Sequence, residues 1–175
     1  MKYSDIYRLY STSQPKDAIH QALREVPVDD SDEQYEDRSP LHLACQYGDA
    51  EGVKILLERD AEPNTKDANG STPIHILGRT SADRADEDKL KEIAVMLMEH
   101  GANIPRSAKN TTALIECVRN RHFKMAEAII NSGARVNSTD LNGENVLFGL
   151  CAASGDIKRD IQFAKKELDE SVQYS

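Results

Sequence analysis

Apolar residues recur along the chain at helical spacing in short bursts, and never in long runs. Ile6, Leu9 and Tyr10 make one stripe, and Ala18, Ile19, Ala22 and Leu23 a second. They predict a helix pair over 4–13 and 15–26, with Ser4 as the cap of the first and Pro15 opening the second. A further inner helix is expected over 40–47, and an outer one from Asp49 carries Val53, Ile55, Leu56 and Leu57. Leu90, Ile93, Ala94, Leu97 and Met98 mark another outer helix, as do Ala128, Ile129 and Ile130. Turn signals bound the bursts at Gly48, Asp60-Ala61, Asn69-Gly70, Gly101-Ala102, Gly133-Ala134 and Asn142-Gly143. The stretch from Val28 to Arg38 reads as an acidic hairpin or loop, with Tyr35 the one large apolar residue of its second half.

The bursts are periodic. Ser39-Pro40-Leu41-His42-Leu43-Ala44 is repeated as Thr72-Pro73-Ile74-His75-Ile76-Leu77, and His42 and His75 are 33 residues apart. Ser or Thr caps a helix, and Pro fits its first position, where a missing N–H costs nothing. This motif at this period is the ankyrin signature. Gly133-Ala134-Arg135-Val136-Asn137 and the paired openings Asp67–Gly70 and Asp140–Gly143 agree with it. The chain therefore resembles the ankyrin-repeat family from about Asp37 to Ile157. That resemblance implies an all-α solenoid of stacked helix-turn-helix units joined by short β-hairpins or loops.

The expected organisation is a degenerate capping helix pair and acidic loop over 1–36, then repeats over 37–66, 67–106 and 107–139. A degenerate capping repeat is expected over 140–175; the alternative is a piece cut from a longer array. Repeat two holds about eight residues too many, around 81–89, as a loop or a longer helix. Asp86 is expected to cap its outer helix, with Glu87 and Asp88 in the favourable first turn. Leu56 and Leu97 should point between neighbouring helices.

Composition narrows the function. The formal net charge is -8 and aromatic residues make up 5% of the chain. An acidic chain is poorly suited to hold phosphate backbones, so no nucleic-acid partner is expected. No run of about 18 apolar residues is present, so no membrane partner is expected either. Cys45, Cys117 and Cys151 form no CxxC pair and occupy small-residue slots of their repeats. Reduced cysteines point to a cytoplasmic protein.

No catalytic constellation emerges, since the chain has no GxxxxGK[ST], GxSxG or HExxH. It is therefore expected to be no enzyme, with no cofactor and no metal. The resemblance implies that His42 and His75 tie neighbouring repeats together by hydrogen-bonding backbone. It implies a monomeric, non-catalytic module that binds another protein on a concave face. The alternative is a targeting segment of a larger enzyme or effector. The matching turn tips are Lys66, Ala68, Asn69 and Ser71, then Lys109 and Thr111, then Leu141, Asn142 and Glu144. The matching inner-helix positions are Gln46 and Tyr47, Arg79 and Thr80, Arg119 and Asn120. Tyr47 is expected to be the leading anchor, or else to pack on Tyr35, and Arg79 and Arg119 to clasp a partner carboxylate.

Overall fold

The computed structural model describes residues 1–81, 83–103 and 112–135, together with 139, 143, 145 and 146. Eight α-helices lie in this part: α1 (Tyr3–Ser11), α2 (Lys16–Glu25), α3 (Pro40–Gln46), α4 (Ala50–Leu57), α5 (Pro73–Gly78), α6 (Glu87–Glu99), α7 (Ala113–Arg119) and α8 (Phe123–Asn131). A 3₁₀ turn at Glu33–Tyr35 is the only regular element of the acidic connection after α2. The helices pack in consecutive pairs, α1 with α2, α3 with α4, α5 with α6 and α7 with α8. Odd-numbered helices contact odd and even contact even along the stack, which makes an inner layer and an outer layer. No unit can bury its apolar stripe by itself, so each leans on the next. The core runs through both layers as one cluster that includes Ile6, Leu23, Leu41, Leu56, Leu77, Leu97 and Leu114.

The first helix begins earlier than its pattern predicts. Ser4 is not its cap; the N-cap is Lys2. Two carboxylates take the free amides of the first turn instead. Asp5 accepts from the Lys2 N–H at 3.0 Å, and Asp30 from the Tyr3 N–H at 2.6 Å. The inner helices α3 and α5 start on their Pro, as the motif requires. Asp86 caps α6 by accepting from the Lys89 N–H at 2.9 Å. The extra residues of the second unit are divided between a loop after α5 and a longer outer helix, since α6 has 13 residues and α4 has 8.

The outer helices α4, α6 and α8 end alike. Asp60, Gly101 and Gly133 all have positive φ, at 61°, 88° and 88°. The following Ala N–H reaches back to Leu56, Leu97 and Ile129 respectively. This is the Schellman closure, in which Gly avoids the Cβ clash of the left-handed region. Asp60 is exposed and bears that clash. Replacing it, Asp60→Gly, is expected to stabilise the chain by about 0.5–1 kcal/mol in urea unfolding. No gain would mean that the strain is relieved elsewhere. Among the described residues no helix is long and apolar enough to cross a membrane.

Candidate functional site

The motif histidines are positioning elements. His42 and His75 occupy the same place in α3 and α5, and each Nδ1 lies 2.9 Å from the hydroxyl of its capping residue, Ser39 or Thr72. His42 Nδ1 also accepts from the Ser39 N–H, so Nε2 carries the proton and donates to the Ser71 carbonyl at 3.0 Å. One ring thus joins the inner helix of one unit to the turn of the next. Burial pushes its pKa down to about 4, against the raising effect of the Ser71 carbonyl. The turn itself is held by Asp67, whose Oδ1 accepts from the Asn69 and Ser71 N–H groups at 2.9 and 2.8 Å. The Ala68 N–H donates to the Glu36 carbonyl, which ties this tip to the preceding one.

Side chains cross every described joint of the stack. Asn64 donates to the Gly101 carbonyl and accepts from the Asn103 N–H at 2.7 Å. The Thr80 hydroxyl donates to the Cys45 carbonyl, and His122 lies 2.7 Å from the Thr80 carbonyl. Burial lowers the pKa of His122, partly offset by its bond to Thr80. The buried Asp49 carboxylate accepts from the Tyr10 hydroxyl at 2.8 Å and lies 3.0 Å from His20. Burial, then the Asp49 charge, raises the Tyr10 pKa well above its ordinary value. Cys45 and Cys117 are fully buried, and burial raises both thiols. Among the described residues no group of three or more His, Cys, Asp or Glu is arranged to hold a metal ion.

Against this frame the residues expected at an interaction surface separate. Lys66 and Ala68 are exposed at the turn tip and Asn69 partly so. Ser71 is fully buried and Thr80 is 3% exposed, so both are joints of the stack rather than surface. The ends of three successive inner helices place Gln46 with Tyr47, Arg79 and Arg119 with Asn120 in register. Arg79 donates to Glu116 at 3.0 Å and to the Ser71 hydroxyl at 3.2 Å, and Asn120 donates to the Gly78 carbonyl at 3.1 Å. Lys109, Thr111, Leu141, Asn142 and Glu144 lie outside the described residues.

Tyr47 does not pack on Tyr35. Its ring stacks on Tyr10, centroids 4.7 Å apart and 18° between planes, and the Arg84 guanidinium lies 4.5 Å from its centroid. The 3₁₀ turn sends Tyr35 back to α1 instead, against Tyr3 and Tyr7. Sequence reasoning passed over Arg38, Arg84 and Lys16, which line the clefts beside these inner-helix ends. The one available signal was an arginine flanked by acidic residues in the insertion, at Arg84.

A family profile described as ankyrin repeats (many copies) matches residues 22–77, and one described as ankyrin repeat matches 109–141. Among curated relatives, the neurogenic locus notch homolog protein 1 of Mus musculus is 34% identical over 134 residues, which is 76% of this chain and 5% of the relative. The ankyrin repeat protein nuc-2 of Neurospora crassa is 29% identical over 124 residues, 70% of this chain and 10% of the relative. The transient receptor potential cation channel subfamily A member 1 homolog of Caenorhabditis elegans is 39% identical over 62 residues, 35% of this chain and 5% of the relative. The chain thus spans a tenth or less of the length of these relatives.

Proposed function

The chain belongs to the ankyrin-repeat family, and on that premise we propose that it is a non-catalytic module that grips a partner protein with its inner-helix ends and turn tips. The observation that carries this reading is the register of those ends. Gln46 and Tyr47, Arg79, and Arg119 and Asn120 recur at the same place in three stacked units, and Lys66 and Ala68 of the turn tip are exposed. Such a row is held rigid before binding by the joints beneath it, so a partner meets little ordering cost. Tyr and Arg are the residue types that most often anchor interfaces. The module acts as a monomer in the cytoplasm.

The test is a pull-down from lysate of the native organism with Tyr47, Arg79 and Arg119 changed together to Ala. The variant should lose the partner captured by the unchanged chain, with the same circular dichroism. Retention of that partner by a folded variant would overturn the assignment. The small share of each relative that the chain covers favours a second reading, in which the same surface targets a larger protein. A reading frame that ends at Ser175 would overturn that second reading.

A further inference from the structure

The loop that the second unit carries beyond its neighbours is seated on the first unit. Gly48 has φ 59°, and a Cβ built there would come within 2.4 Å of the Ala85 Cβ. Ala85 is 5% exposed. Its insertion against this bare backbone delivers the adjacent Arg84 to the end of α3. There Arg84 Nη1 donates to the Gln46 carbonyl at 3.1 Å and the guanidinium lies over Tyr47. Neither partner carries a formal charge, and no carboxylate among the described residues pairs with Arg84.

Arg84 is shared by two adjoining clefts. One, of about 280 Å³, is also lined by Arg38 and Arg79. The other, of about 460 Å³, is lined by Tyr47, Lys16 and the buried Asp49. Arg38 is fixed by Gln46, Glu36 and the buried Asp67, and Arg79 by Ser71 and Glu116. A guanidinium has five N–H donors, so these contacts orient the forks and leave donors untaken. The Lys16 side chain is 69% exposed, with Nζ 3.7 Å from Asp49. Arg38 faces Glu36 and Asp67, Arg79 faces Glu116 and Lys16 faces Asp49, so among the described residues Arg84 is the one of these four cations that no carboxylate offsets.

We propose that the two clefts form one trough for an acidic peptide segment of the partner. One carboxylate is taken up among Arg38, Arg79 and Arg84. This rests on the protein-binding reading above and specifies the chemistry of what is bound. Charge-assisted, forked hydrogen bonds favour Arg for this task, and the exposed rim makes the affinity fall with salt.

The test is fluorescence anisotropy of the full chain with a short labelled peptide of alternating Glu and Ser, beside its Gln and Ser counterpart. The acidic peptide should bind saturably, weaken as salt is raised, and bind at least about tenfold more tightly than the amide peptide, a difference of about 1.4 kcal/mol. Arg84→Gln should lose about that factor. Arg84→Lys should also lose affinity, because an ammonium cannot keep both the fork and the ring contact. Lys91→Gln, on the exposed face of α6, should change nothing. Equal binding of the two peptides, no saturable binding, or an Arg84→Gln result matching Lys91→Gln would overturn the proposal. If the acidic peptide fails while the triple Ala variant still loses its captured partner, the acidic specificity is wrong and the protein-binding face stands.

Discussion

Truncating Leu97 to Ala should cost roughly 2–5 kcal/mol of unfolding free energy. The side chain is fully buried in α6, and α6 packs against both α4 and α8. Loss of its methyl groups therefore opens a hole in the core cluster that runs through the stack. Leu56 holds the corresponding place in α4 and should behave alike. Against a typical total of about 5–15 kcal/mol, either loss is a large fraction. Lys91→Ala on the exposed side of α6 provides the control and should stay within about 0.5 kcal/mol. Chemical denaturation of the three variants checks this. Unchanged midpoints for both Leu variants would contradict the stacking register.

Acid should unfold the chain through His42. Its imidazole is neutral in the fold, because Nδ1 accepts hydrogen bonds and no water reaches the ring. The folded pKa is about 4 and the unfolded value about 6.5, so the unfolded state binds the proton first. Stability therefore falls with pH in this window. The contribution is fully present above about pH 6.5 and is lost as the pH drops towards 4. It amounts to roughly 3 kcal/mol over the whole window. His122 shifts in the same direction and adds to the slope. Thermal melts between about pH 7 and pH 4.5 should show a falling midpoint, and the fall should be shallower in His42→Gln, which is less stable at neutral pH. A midpoint independent of pH across that range would mean that the ring is not held neutral.

Much of this architecture was legible in the sequence because repeats report themselves twice. The Pro and His of the motif marked α3 and α5, and their equivalence followed from spacing alone. Leu56 and Leu97 were readable as core because they share a helical stripe with their neighbours. What could not be read was contact between unlike units. Tyr10 stacks on Tyr47 across the joint between the degenerate first pair and the first true repeat, where no template gives the register. Ser4 looked like a cap because carboxylates recruited from Asp5 and from the distant Asp30 are invisible to a local pattern. Arg84 and Ala85 lie in a segment without periodicity, and only the fold shows what they rest on. Ser71 and Thr80 matched surface positions of the repeat, but here the hydrogen bonds of the stack consume them.

The missing side chain at Gly48 and the methyl of Ala85 are complementary, so the two sites are bound to vary as a unit. Shortening the second repeat to ordinary length would expose a dent at the turn between α3 and α4. Filling that dent would in turn evict the longer segment and carry Arg84 away from Tyr47. The extra length of one repeat is thus written into the backbone of the one before it.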